Sequence, residues 1–333
     1  GSIGQRHLRV LKSLKIKGLE LYAYREINRK IIIAESLKSS YKGDISKKYK
    51  IKELYKENEI VKLKPDVTFI CNPSSKHIKF ANIVAKLKSD IFIEKPLSNN
   101  LVGLKSLIKT VNKNKLVCTV GYQMRFHPLI LDIKKIIDKK KYGNLKTVKT
   151  SFGHYLPSWH KYENYKKVIY GKKNLGGGII LEMSHEIDYL NWLLGGKLIN
   201  SKSFFSKISN LDINVEDIFQ SLLIYKKDNS KILVNLSMDF IQKLPERKSI
   251  FLFEKKIVIL DLIDNSLTFK EPDKKKSKKK KLMSFNRDKV FKDQIQSFLI
   301  NVKKRSAPKV NLNESYQLLK LILKIKNNKL NKF

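Results

Sequence analysis

The chain has 333 residues, 70 Lys and Arg against 30 Asp and Glu for a net charge of +40, and 42% hydrophobic residues. That length suits about two domains with substantial cores. No apolar run is long enough to span a membrane, no signal peptide is read before the first helix, and two cysteines make no disulfide framework.

Cys71 and Cys118 lie in apolar runs and read as buried thiols of a reducing compartment, so a cytoplasmic protein is expected. The lysines are spread over every segment, alongside many Ile and Asn. All three residues have A/T-rich codons, so base composition accounts for the charge without an anionic partner. The one basic run is Lys274–Lys281, broken by Ser277. It follows Pro272, carries no interleaved aromatics and reads as a solvated loop. Neither nucleic-acid binding as the main function nor a membrane is expected, and no metal-ligand set is read.

The chain opens Gly1-Ser2-Ile3-Gly4, then places Leu8, Val10, Leu11 and Leu14 on a helical stripe. Gly1 and Gly4 match the second and third glycines of G-x-G-x-x-G. Gly1, Ser2, Ile3 and Gly4 are therefore candidate cofactor contacts. The first glycine and its strand are expected upstream of Gly1; a cloning scar at Gly1-Ser2 is the alternative. Leu19–Tyr24 reads as a strand, followed by Arg25 and Glu26. An Arg there favours a 2′-phosphate and so NADP, while Glu26 could serve the ribose of NAD.

Asp66–Cys71 reads as a buried strand, followed by Asn72, Pro73 and His77. His77 starts a helix over 76–88 and fixes the loop. Ile91, Phe92 and Ile93 form the next strand, which Pro96 terminates. Glu94 and Lys95 then stand at a carboxyl strand end, the edge where open α/β sheets bind ligands. A partly desolvated Lys95 could move protons near neutral pH. A surface ion pair of Glu94 with Lys95 is the competing reading. A helix over 99–113 and a strand over 116–120 continue the β-α alternation, which predicts a doubly wound parallel sheet.

Residues 121–128 (GYQMRFHP) mark a crossover before a helix at 129–140. Strand-length runs then follow at 145–155, 201–209, 215–226, 230–240, 248–254 and 256–263. Strands in succession predict a mostly antiparallel sheet. Helices return at 288–303 and 314–328. The stretch from His154 to Tyr165 mixes aromatic and polar groups, as a sugar site would, or forms a rigid loop anchored by Trp159. Gly176-Gly177-Gly178 leads into Glu182, His185, Glu186 and Asp188.

Glu94-Lys95-Pro96 lies between the N-terminal glycine pattern and the Gly-Gly-Gly…His-x-x-Asp block at 176–188. In that order and spacing, the chain resembles the Gfo/Idh/MocA family of glucose–fructose oxidoreductase and inositol dehydrogenase-like enzymes over essentially its whole length. The resemblance implies a Rossmann domain over 1–121. It implies a C-terminal α/β domain over 122–333, whose large open sheet forms a homo-oligomer interface. Cys71, Asn72, Pro73, His77, Glu94, Lys95 and Gln123, which stands where the family has Asn, would contact NADP or NAD, with NADP preferred. Arg125 would reach cofactor or substrate, or else form an interdomain salt bridge.

The family shows Asp-x-Gly-x-His-x-x-Asp, of which His185 and Asp188 match. Glu182 precedes His185 by three residues where the family has four, and Glu186 could share its role. The implied reaction is hydride transfer between a nicotinamide and a secondary alcohol or ketone. His185 would be the base, Lys95 would orient the hydroxyl, and Glu182 would hold the His. Lys95, Arg125, Trp159, Tyr165 and His185 would meet the substrate, a sugar, nucleotide-sugar or cyclitol. Some segments are similar to those of bacterial surface-sugar enzymes. The alternative is a Rossmann-type protein that binds a nucleotide or a partner without turnover.

Overall fold

A computed structural model describes residues 1–26, 30–34, 39–272, 274 and 276–327. These fall into two compact units. One holds Gly1–Gly121, His160–Asn164 and Arg287–Leu319. The other holds Tyr122–Trp159, Tyr165–Asn286 and residues 320–327.

The first unit begins with helix α1 (Ser2–Ser13). Then come β1 (Tyr22–Tyr24), the hairpin strands β2 (Ile31–Ile33) and β3 (Ser40–Lys42), α2 (Ile45–Tyr49), β4 (Lys52–Leu54) and α3 (Glu57–Leu63). The series β5 (Val67–Ile70), α4 (His77–Lys86), β6 (Asp90–Ile93), α5 (Leu104–Lys113) and β7 (Cys118–Val120) follows. Strands β5, β6 and β7 pair in that order, all parallel. All four residues of β6 are buried, as a central parallel strand covered on both faces requires. Helix α4 turns Phe80, Ala81, Val84 and Ala85 inward, and α5 does so with Leu104, Leu107 and Val111.

The expected sheet is divided. β1 pairs with β4 in a separate parallel ladder, and β2 with β3 in an antiparallel hairpin that the sequence reading did not contain. The side chain of Gln5 clamps the hairpin: its amide donates to Ile31 O at 3.0 Å and accepts from Ile33 N at 2.9 Å.

The second unit contains α6 (Pro128–Asp138), β8 (Leu145–Gly153), and the short helices α7 (Leu156–Trp159) and α8 (Ile179–Glu182). Helix α9 (Ser184–Leu194) ends at Gly195, whose φ of 59° is left-handed. Strands β9 (Lys197–Ser206), β10 (Ile218–Lys227), β11 (Ser230–Asp239), β12 (Glu246–Phe253), β13 (Ile257–Asp261), β14 (Ser266–Lys270) and β15 (Lys278–Lys281) complete it. The eight strands run in the order β15-β14-β13-β12-β8-β11-β10-β9, antiparallel except for the parallel β11–β8 pair. One face is alternately buried, through Phe219, Leu223 and Tyr225 on β10 and Val234, Leu236 and Met238 on β11.

The basic run is not wholly a loop. Lys278–Lys281 forms the edge strand β15, and Lys275 lies outside the described residues. Its four lysines stay exposed, as edge strands favour, and Lys279 and Lys281 pair with Asp264 on the hairpin below.

Helix α10 (Arg287–Lys304) was expected in the C-terminal domain but packs in the first unit. Its Phe291, Ile295 and Phe298 share a core with Val10, Leu11, Phe92 and Val117. Each fully buried Phe contributes about 1.5–3 kcal/mol, so these contacts decide where the helix goes. Helix α11 spans Leu312–Asn327, and Asn328, the last residue of the expected helix, lies outside the described residues.

Candidate active site

In the first unit, the loop after β6 is closely packed. Residues 90–98 are buried except Lys95, which is half-buried. The Lys95–Pro96 peptide bond is cis. His77 fixes the loop from below: Nδ1 meets Pro96 O at 3.0 Å and Nε2 meets Asn72 O at 2.8 Å. Both partners are carbonyls and favour the protonated ring. Burial opposes them and lowers the His77 pKa overall. The imidazole thus joins the Asn72-Pro73 turn to the Lys95 loop and has no reaction to perform.

Glu94 is not the surface partner of Lys95 that the competing reading expected. Its carboxylate is buried, with Oε1 at 2.5 Å from His7 Nε2 and Oε2 accepting from the Lys95 N–H at 3.2 Å. A Cβ on Gly121 would stand 3.1 Å from that carboxylate, which would have to shift by a few tenths of an ångström to admit it.

At the start of α1, Gly1 is the N-cap and Ser2, Ile3 and Gly4 form a first turn without acidic side chains. Such a turn presents N–H groups and positive potential suited to phosphate. A Cβ on Gly4 would meet Cβ of the half-buried Cys71 at 3.8 Å, which places the helix close over the end of β5. Asn72 Oδ1 is buried without a hydrogen-bond partner among the described residues, an acceptor left for a ligand donor. Arg25, at the end of β1, is ion-paired with Glu53 on β4, and Glu26 with Lys76 at 2.6 Å. The helix start and the unpartnered Asn72 Oδ1 fit a dinucleotide.

In the second unit, the glycine run serves packing. A Cβ on Gly177 would lie 2.4 Å from Tyr170 O, and Gly178, at φ 107°, abuts the Glu216 carboxylate. The helical path then breaks at Met183, so Glu182 ends α8 and His185 belongs to α9. Glu182 and His185 thus lie on two helices rather than one face of a single helix. His185 is buried, with its ring edge-on to Tyr122 at 5.9 Å.

Both carboxylate oxygens of Glu186 are already engaged. Its Oε1 accepts from Arg247 Nε at 2.9 Å and its Oε2 from Tyr189 Oη at 2.6 Å. Arg125, expected at cofactor or substrate or in an interdomain bridge, grips Asp188 within the same unit. Gln123 is buried beside it in sequence, and its Oε1 has no partner among the described residues. Trp159 stacks on His154 at 5.6 Å and packs against Phe152, Tyr170 and Phe240, the anchoring role. The Tyr165 hydroxyl accepts from Asp212 N at 3.5 Å.

Two residues of this architecture escaped the sequence reading. Arg247 had no visible partner in a strand of mixed residues. His7 carried a signal: it precedes Val10 by three and Leu11 by four, which places it on the apolar stripe of α1.

Two family models match the chain. Residues 1–122 match "Oxidoreductase family, NAD-binding Rossmann fold", and residues 130–255 match "GFO/IDH/MocA C-terminal domain". The chain belongs to the Gfo/Idh/MocA oxidoreductase family.

Among characterised members, scyllo-inositol 2-dehydrogenase (NAD(+)) of Bacillus subtilis is 30% identical over 146 residues, 44% of this chain and 40% of that one. Inositol 2-dehydrogenase of Rhizobium meliloti is 28% identical over 131 residues, 39% of this chain and 37% of that one. The alignments thus span less than half of these relatives. Among solved structures, levoglucosan dehydrogenase in complex with NADH and levoglucosan has a TM-score of 0.79 at 13% identity, covering 98% of this chain and 94% of that one. UDP-N-acetylglucosamine 3-dehydrogenase of Acidithiobacillus ferrooxidans has a TM-score of 0.68 at 14% identity, covering 86% and 85%. At these identities the likeness is one of fold: a Gfo/Idh/MocA Rossmann unit and its open-sheet partner unit.

Proposed function

We propose that this family member is an NAD(P)-dependent oxidoreductase acting on a secondary alcohol or ketone of a sugar, nucleotide-sugar or cyclitol. The observation that carries the reading is Lys95: the one half-buried residue in an otherwise buried stretch, at the carboxyl end of the central strand β6. Ser2, Ile3, Gly4, Asn72, Pro73 and Gln123 would hold the dinucleotide, which supplies the hydride acceptor or donor when bound. Arg25 is the group we assign to a preference for NADP.

A hydroxyl cannot release hydride until its proton is leaving. His185 takes that proton at a ring nitrogen. Lys95 is the group we assign to hydrogen-bond a reacting oxygen and stabilise charge that develops on it. Glu182 orients His185, since Glu186 and Asp188 are held by arginines. Trp159 and Tyr165 flank the substrate from an anchored loop. The named substrates of the inositol and sugar dehydrogenases above support the substrate class.

We further infer a homo-oligomer through the uncovered face of the eight-stranded sheet, where Leu222 and Leu233 are exposed. Two free cysteines suit a reducing, cytoplasmic setting. Among the described residues, no helix is long and apolar enough to cross a membrane.

The test is a spectrophotometric screen for NAD(P)H formation and consumption with inositols, aldoses, 1,6-anhydrosugars and UDP-N-acetylhexosamines, run beside Lys95→Ala. Turnover that vanishes in the variant supports the reading. Dinucleotide binding without turnover of any substrate class would favour a non-catalytic binding protein.

A further inference from the structure

We propose that His7 is a positioning residue for Lys95, tying the start of α1 to the Lys95 loop through a buried contact with Glu94. The pair is among the most enclosed polar contacts of the first unit: His7 Nε2 lies 2.5 Å from Glu94 Oε1, with side-chain exposures of 2% and 8%. A carboxylate only accepts, so Nε2 carries the proton. The His7 ring is walled by Phe69, Phe92 and Phe291, with centroids 5.4, 5.1 and 6.1 Å away. It has no room to turn aside. His7 Nδ1 makes no hydrogen bond among the described residues, so the ring's polar function is directed at Glu94.

Glu94 passes this constraint on. Its backbone N–H donates to Ile70 O at 2.9 Å, its Oε2 accepts from the Lys95 N–H at 3.2 Å, and its carboxylate rests against Gly121. On the other side of Lys95, His77 holds Pro96 O. Lys95 therefore sits between two residues each fixed by a buried imidazole. His7 also lies one turn into the helix whose first turn suits phosphate, so the same ring sets the phosphate-binding turn and Lys95 in one piece. Loss of the His7 donor would leave a buried carboxylate short of a partner, and it would turn away or take up a proton. Either change moves the Lys95 backbone.

The catalytic consequence rests on the function proposed above; the positioning itself does not. Three variants separate the possibilities: His7→Phe fills the aromatic cage without a donor, His7→Gln keeps an N–H, and Glu94→Gln removes the acceptor charge. Each is acetylated with acetic anhydride over a range of pH, and Lys95 is read by peptide mass spectrometry against the exposed Lys202. We expect His7→Phe and Glu94→Gln to change the Lys95 rate by at least about threefold, the scale of one lost hydrogen bond, with Lys202 unchanged and His7→Gln close to wild type. With an active substrate, His7→Phe should lower kcat about tenfold while KM stays near wild type. Circular dichroism and melting identify any variant that fails to fold, and the remaining ones decide. Wild-type Lys95 labelling in every folded variant would overturn the proposal, whether or not the protein turns over a substrate. Shifted labelling without turnover would instead leave the positioning intact and count against the oxidoreductase reading.

Discussion

Arg125 grips Asp188 side-on, with Nη2 2.6 Å from Oδ1 and Nε 3.0 Å from Oδ2, both side chains at most 2% exposed. The guanidinium also stands over Trp192 at 5.7 Å. Removing one partner of such a pair strands a buried charge and costs about 3–5 kcal/mol. Arg125→Ala should therefore lower the unfolding free energy obtained from urea titration by that amount. Arg125→Met with Asp188→Leu should recover part of it, because neither charge of the pair is left facing an empty partner. A stable Arg125→Ala with an altered substrate KM would return Arg125 to the binding site.

Lys95→Ala and His185→Ala should each reduce turnover at least about a hundredfold, the scale of a lost acid–base group. Dinucleotide affinity, measured by titration calorimetry, should change far less. Lys95 is half-buried, so melting of Lys95→Ala should shift by only a few degrees. Wild-type turnover in either variant would remove that residue from the mechanism.

The parallel β5–β6–β7 ladder was legible because its strands are short apolar runs alternating with amphipathic helices. The open sheet was legible from alternation, as in Phe219, Ser221, Leu223 and Tyr225. The β2–β3 hairpin was not, since half of its partner is the side chain of Gln5, which no backbone pattern encodes. At the site, Lys95 and His185 announced themselves by motif, but the fates of their acidic neighbours did not. Glu94, Glu186 and Asp188 are defined by His7, Arg247 and Arg125, and the first and third pairs are 87 and 63 residues apart in sequence. Local reading supplies residue types; long-range partners decide which charges remain for chemistry.

Acid should weaken the second unit through His127. Its Nδ1 caps α6 by accepting from Leu129 N at 3.3 Å, which requires the unprotonated nitrogen. Burial, and then the Arg247 charge, lower its pKa from 6.5 to about 4. The unfolded chain binds this proton first as pH falls. The contribution is therefore complete above about pH 6.5 and is lost towards pH 4, by about 1.4 kcal/mol per pH unit in that window. His127→Asn keeps a cap without the titration, so its urea midpoint should fall less between pH 7 and pH 4.5. Equal slopes for the two proteins would exclude His127 as the source.

The lysines of β15 guard a sheet edge. Lys280 reaches Asp132 at 2.6 Å, and Lys279 and Lys281 both reach Asp264. These exposed pairs are worth little individually, so replacing Lys278–Lys281 with threonines should leave kcat/KM near wild type at moderate salt. The same change leaves a flat, uncharged edge able to pair with another chain. Light scattering on concentrated samples should show faster aggregation than the wild type. A large loss of kcat/KM without aggregation would point to steering of an anionic substrate.

The proposed NADP preference predicts that cofactor choice turns on the Arg25–Glu53 pair. Arg25 stands at the end of β1, where a 2′-phosphate would be met, and Glu53 holds its guanidinium from the neighbouring strand β4. Two effects oppose one another. The pair orients Arg25, while the Glu53 carboxylate repels the phosphate and occupies a guanidinium donor. A phosphate offers Arg25 a charge-assisted contact that a hydroxyl does not, so removing the Arg should weaken NADP selectively. Arg25→Ala is expected to raise the Kd for NADPH about tenfold, the scale of one hydrogen bond to a charged group, with NADH affinity nearly unchanged. Glu53→Gln should act in the opposite sense and tighten NADPH, because the repulsion goes while Arg25 stays. Fluorescence titration of both cofactors with both variants decides it. Tighter NADH than NADPH in the wild type, with Arg25→Ala leaving both unchanged, would show that the ion pair only joins two strands.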